Sequence, residues 1–127
     1  MAVQDMQQNE MMSHLLGALD RGEDIGHYGR LVFAMVARHF LDAEELVEYL
    51  VKNPGFDDIQ ARALVKQVEA RDYNPPRREK IMQFQREQDF TICPSNDPDG
   101  CNVYKNLQFP EGVYEKINAY YEQKAQA

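Results

Sequence analysis

Apolar residues recur along this chain at helical spacing, and no segment shows the sustained alternation of a half-buried strand. From Asp5 to Leu19 the residues Met12, Leu15, Leu16 and Leu19 fall on one face, and Arg21-Gly22 supplies a cationic last turn and a stop, which predicts a first helix. Leu31 to Phe40 is apolar on nearly every side, broken only by Arg38 and His39, as suits a helix at the centre of a bundle. Asp42, with Glu45 three residues on, has the form of a capping box opening a helix that buries Leu46, Val47, Leu50 and Val51; Asn53-Pro54-Gly55 ends it. Asp57 or Asp58 can cap the next helix, with Ile59, Leu64, Val65 and Val68 inward and Arg62 and Lys66 on a neighbouring face.

Tyr73-Asn74-Pro75-Pro76 then breaks the chain, and Pro76 suits the first turn of a short helix through Ile81, Met82 and Phe84. Three prolines, a glycine and several Asp and Asn residues between Thr91 and Pro110 predict an ordered loop. It holds both cysteines and precedes a last helix over Pro110 to Gln123 that buries some of Val113, Ile117, Tyr120 and Tyr121. The predicted fold is all-α: one compact multi-helix bundle over residues 1–127, with a long ordered Pro- and Cys-containing loop before its last helix.

Composition narrows the class. A chain of 127 residues can bury roughly 65–70% of its unfolded surface without a staple. No apolar run reaches the roughly 18–20 residues of a membrane span, and the start, MAVQDMQQNEMM, lacks the apolar core of a secretory signal, so a cytoplasmic location is expected. Two cysteines do not make a disulfide scaffold. The formal charge of −7 weighs against indiscriminate nucleic-acid binding. Its distribution qualifies that, because residues 59–86 carry 7 basic and 3 acidic groups, a local +4 between two acidic flanks.

Three groups of residues carry candidate chemistry. Cys93 and Cys101 are thiols on one loop, the kind a soft metal or an iron–sulfur cluster takes. Neither belongs to a CxxC pair, and His14, His27 and His39, the histidines that could complete a site, are distant in sequence, so zinc is not expected. Gly26-His27-Tyr28-Gly29-Arg30 places an imidazole and a guanidinium three residues apart at a helix start, a geometry suited to phosphate. The competing possibility is that His27 caps the helix and Arg30 pairs with Asp24 or Glu23. The third group is Arg71, Arg77, Arg78, Lys80 and Arg86 around the Pro-Pro turn, interleaved with Tyr73 and Phe84; most such runs are solvated faces. No nucleophile–base–acid set, Walker-type loop or HExxH motif stands out, so an enzyme is not expected.

Together these pieces resemble the C-terminal domain of the archaeal and eukaryotic primase large subunit, from about Met11 to Tyr114. The matching segments are Leu19 to Arg30 with its His-x-x-Arg helix, Asn53-Pro54-Gly55-Phe56-Asp57, the Tyr73 to Ile81 turn and short helix, and Cys93, Cys101 and Asn102 to Leu107. In that family four thiolates hold a cubane cluster. Here Met11 lies near the first position and Arg78 stands where the second cysteine belongs, which leaves Cys93 and Cys101 as the only thiols for a metal; the resemblance with its losses implies no cofactor, as in the family's clusterless accessory subunits.

The resemblance also implies that His27 and Arg30 face phosphates and that Arg62, with Lys66, Arg77 and Arg78, adds nucleotide or nucleic-acid contacts. Ala63 and Gln67 depart from the aromatic or imidazole contacts expected there. The implied function is a non-catalytic accessory module in primer synthesis that binds a nucleotide or primer 5′-phosphate end and template. Its partners would be a catalytic primase subunit or primase-polymerase, with no membrane involved. The alternative is an acidic protein-interaction adaptor, of viral or mobile-element type, that keeps the fold without binding nucleic acid.

Overall fold

The computed structural model describes residues 2–94 and 101–117. They form α1 (Ala2–Met6), α2 (Glu10–Asp20), α3 (Gly26–Ala37), α4 (Ala43–Leu50), α5 (Asp58–Ala70), α6 (Arg78–Arg86), α7 (Val103–Asn106) and, at the end of the described residues, α8 (111–117), with no strand among them. The all-α expectation holds. No helix among the described residues is long and apolar enough to cross a membrane.

α3 is the central element: it packs against α2, α4, α5 and α6, and Val32, Phe33, Ala34, Val36 and Ala37 are wholly buried. Residues this uniformly apolar bury most of the helix's circumference, leaving Leu31 and Met35 half-buried. α2 and α4 close one side through Leu15, Leu16, Leu19, Leu46 and Leu50, and α5 pairs with α4. Both capping boxes form. Asp42 accepts from the Glu45 N–H at 2.9 Å while the Glu45 carboxylate accepts from the Asp42 N–H, and Asp57 and Gln60 repeat the arrangement at the head of α5.

Several expectations are corrected. The single helix over Asp5 to Leu19 is two, because Asn9 accepts from the Met12 N–H at 3.0 Å as an N-cap for α2. Asn9 is fully buried and its amide donates to the Asn102 carbonyl and Asn106 Oδ1, so a tertiary tie to α7 rewards the break. Ile59 is 79% exposed, and Ala61 takes the inward position with Val65 and Val68. Val65 and Val68 are buried as expected, and Leu64 is half-buried against the core. Val51 is not part of the α4 stripe but its exposed C-cap. Arg38 and His39 lie in the turn after α3 rather than in the helix. Pro76 precedes α6 instead of opening it; Arg77 is the N-cap. α7 forms inside the predicted loop, of which residues 95–100 lie outside the described residues, as do Tyr120 and Tyr121 of the predicted last helix.

The Pro-Pro turn is held from three sides. Arg38 donates to the Tyr73 carbonyl and to the Asp72 carboxylate, both at 2.8 Å, Lys116 reaches Asp72 from α8, and the Tyr104 hydroxyl donates to the Pro75 carbonyl. Asp72 itself ends α5 at φ +50°, a left-handed position that aspartate tolerates better than most side chains. These ties fix where α6 begins, and so where Arg77 and Arg78 stand.

Candidate phosphate-binding surfaces

Two helix starts could meet an anion, and the chain treats them differently. At α3 the backbone donors are already taken. The Ile25 N–H donates to Asn53 Oδ1 at 2.8 Å, the Gly26 N–H to Asp24 Oδ1 at 2.9 Å and the Tyr28 N–H to Gln88 Oε1 at 2.9 Å. The Gln88 amide nitrogen returns to the Ile25 carbonyl at 2.9 Å and the Phe90 carbonyl at 3.1 Å, so one side chain clasps the entry of α3 to the end of α6. Gly26 sits at φ +79°, and a Cβ there would come within 2.6 Å of Gln88. Only glycine lets the clasp close.

Arg30 is drawn into the same knot. Its guanidinium pairs with Asp24 at 3.2 Å, lies over the Phe56 ring with 4.5 Å to the centroid, and is 17% exposed. Asp24 is held below its ordinary carboxylate value, chiefly by the Gly26 N–H and also by Asn53 and Arg30. A carboxylate of the chain thus occupies the place a phosphate would take. The N-cap position is Ile25, and the side chain that meets the first turn is Asp24, not His27. His27 remains exposed, its ring edge-on to Tyr28 at 5.1 Å.

Arg62 is committed in the same way on the opposite flank. It grips Glu44 through two nitrogens at 2.7 and 3.0 Å and Asp58 at 2.8 Å, which raises its pKa well above the usual guanidinium value and depresses that of Glu44. Lys66, one turn along, is exposed and lines with Arg62 a shallow recess of about 180 Å³ between α4 and α5. Neither is near the start of α3 through any contact described.

At α6 the picture reverses. The N-cap, Arg77, makes no side-chain capping bond, and Arg77 and Arg78 line a cleft of about 430 Å³ with Glu79, Asn102, Tyr104, Tyr114 and Ile117. Arg78 pairs with Glu79 at 3.2 Å. Burial raises the Tyr104 hydroxyl to about 12, so it stays a neutral donor on the Pro75 carbonyl. A line of ring contacts runs from the α3 start toward the same side: His27 on Tyr28, Tyr28 stacked on Phe84 at 4.7 Å, and Lys80 over Phe84 at 5.3 Å. The structure thus brings His27 into line with Lys80, and leaves Arg62 and Lys66 apart. The cleft wall formed by Tyr104 and Tyr114 was not anticipated; Tyr104 lies inside the segment read as a loop.

Cys93 and Cys101 are both buried and not disulfide-bonded. Burial first, then a hydrogen bond with Cys93, pushes the Cys101 thiol up to about 12, against the opposing pull of the Arg78 guanidinium. The backbone N–H of Cys93 donates to Gln85 at 2.7 Å. The Arg78 guanidinium thus acts on the Cys101 thiol. Two buried cysteines do not fit a four-thiolate cluster, and the chain has no further cysteine to supply. Among the described residues no three of His, Cys, Asp and Glu gather around one point. His14 is engaged elsewhere: its Nε2–H donates to the Thr91 carbonyl at 2.9 Å and its ring stacks on Phe90. His39 lies behind the Pro-Pro turn, edge-on to Phe109.

No protein-family model, curated protein or solved structure matches the chain.

Proposed function

We propose that this chain is a non-catalytic accessory module of primer synthesis, holding the phosphate-bearing 5′ end of a nucleotide or primer for a separate nucleotidyltransferase subunit, a catalytic primase subunit or primase-polymerase. The observation that carries the reading is the cleft of about 430 Å³ where two guanidinium residues, Arg77 and Arg78, face Tyr104, Tyr114 and Asn102. Arginine offers bidentate donors to phosphate, and tyrosine offers a face on which a base can stack. A cleft of this size matches a mononucleotide better than an extended duplex.

Within this proposal the roles change hands. Arg77 and Arg78 contact phosphate, the exposed His27 offers a further contact, and Arg30 and Arg62 serve the scaffold through their carboxylate partners. The contribution is positioning. The test is binding of a primer–template with a 5′-triphosphate and a 3′ overhang, followed by fluorescence anisotropy. Wild type is expected to bind with steep salt dependence, and Arg78→Ala to lose about tenfold. Binding that ignores both salt and Arg78→Ala would remove the proposal.

Arg30 and Arg62 favour a second reading. Both cations are neutralised by the chain's own carboxylates, which leaves the acidic surface of a protein-interaction adaptor. No oligonucleotide binding even at low salt would select it.

A further inference from the structure

On the other side of Arg77 lies a second concavity of about 490 Å³, of a different character. Leu31 and Met35 of α3 form its floor, Tyr73, Pro76 and Phe84 its walls, and Arg77 and Lys80 stand at its rim. The lining is largely carbon. Leu31, Met35, Tyr73 and Phe84 are half-buried against the core yet turn an uncovered face into this groove. Its shape is set in advance: Phe84 is stacked on Tyr28, and Arg38 and Tyr104 hold the Pro-Pro turn. A preformed groove costs a partner little ordering.

We propose that this groove docks an acidic amphipathic helix of a protein partner, with apolar side chains inserted between α3 and α6 and flanking carboxylates on Lys80 and Arg77. Charge decides the occupant. The rim belongs to the one stretch with a net +4, while the rest of the chain sums to −11, so a partner segment is attracted here and repelled elsewhere. The aliphatic floor decides against a base, whose polar edges Leu31 and Met35 cannot satisfy. Apolar anchors at helical spacing fit such a cleft between two helices. The proposal does not depend on phosphate binding, which uses the far side of Arg77.

The experiment is an NMR titration of the isotopically labelled full chain with a synthetic peptide of about 16 residues, bearing Leu or Phe at i, i+3, i+4 and i+7 and Glu on the flanks. A second peptide replaces every Glu by Lys. The acidic peptide is expected to shift the amides of Leu31, Met35 and Phe84. Lys80→Glu should weaken it about tenfold, the lysine peptide should bind about tenfold more weakly than the acidic one, and Met35→Gln should weaken the acidic peptide at unchanged helical circular dichroism. Equal affinity for both peptides overturns the proposal, as does the absence of groove shifts at millimolar peptide. So do the same shifts produced by an oligonucleotide, or shifts that grow with protein concentration alone and mark a second copy as the occupant.

Discussion

The starts of α3 and α6 each carry arginine near the first helical turn, and they have become different things. At α3, Asp24, Asn53 and Gln88 answer the backbone donors, and Arg30 answers Asp24. At α6 the N-cap Arg77 makes no side-chain capping bond, Arg78 pairs with Glu79, and both arginines line a cleft. A helix start with a neighbouring guanidinium is a latent anion site in either place. A carboxylate is within reach at both, Asp24 at α3 and Glu79 at α6, so what separates the two is the origin of the acceptors: for α3 two of the three arrive from 28 and 60 residues away.

The comparison can be broken or sharpened by mutation. The largest effect is expected from Gly26→Ala, which forces a side chain into a left-handed backbone and displaces Gln88 from three bonds. A loss of about 2–4 kcal/mol in urea unfolding is expected, and a loss below about 1 kcal/mol would mean the clasp is ornamental. Asn53→Ala leaves the buried Ile25 N–H without its acceptor and should cost about 1–3 kcal/mol by the same measurement.

The α6 side should instead be sensitive to pH, through the turn that sets it. Burial, and then Arg38, hold His39 down at about 4, with Lys116 adding to the effect and Asp72 opposing it, and His39 Nε2 has no hydrogen-bond partner. The folded protein therefore binds the proton less readily than the unfolded chain does, whose histidine titrates near 6.5. Stability should be complete above that value and fall as pH drops from about 6.5 to about 4, by about 1–2 kcal/mol after solvent screening is allowed for. Denaturation midpoints across that range check this, and His39→Phe should flatten the slope. Asp72, kept at about 2 by Lys116 and Arg38, adds its own loss only at lower pH, as the solution falls through its unfolded value of 3.8. The smallest effect is expected from Arg30→Ala: about 0.5–1.5 kcal/mol of stability from the lost ion pair and ring contact, with less than a twofold change in affinity for the triphosphate probe. A tenfold loss of affinity there would restore the α3 start as the binding surface.

The chain itself announced its helices wherever local chemistry sufficed. Asp42 with Glu45 and Asp57 with Gln60 close their boxes within four residues, and the unbroken apolar run after Leu31 could only be central. It failed where a distant residue held the deciding vote. Asn9 breaks the first helix because its amide reaches Asn102 and Asn106 at α7. Of the candidate binding residues, Arg77 and Arg78 were legible as a basic run at a Pro-Pro turn, but Tyr104 and Tyr114 were not, since nothing near them in sequence marks the opposite wall of a cleft.

What the amino-acid order determined alone is the helical class, the capped starts of α4 and α5 and the core identity of α3, because periodicity and capping act over a single turn. Only the tertiary structure decided that Arg38 and Arg62 meet carboxylates remote in the chain and that Arg77 and Arg78 line a cleft. Charge pairing in a folded chain depends on distance in space, and Arg30, Arg38 and Arg62 meet their partners 6, 34 and 18 residues away.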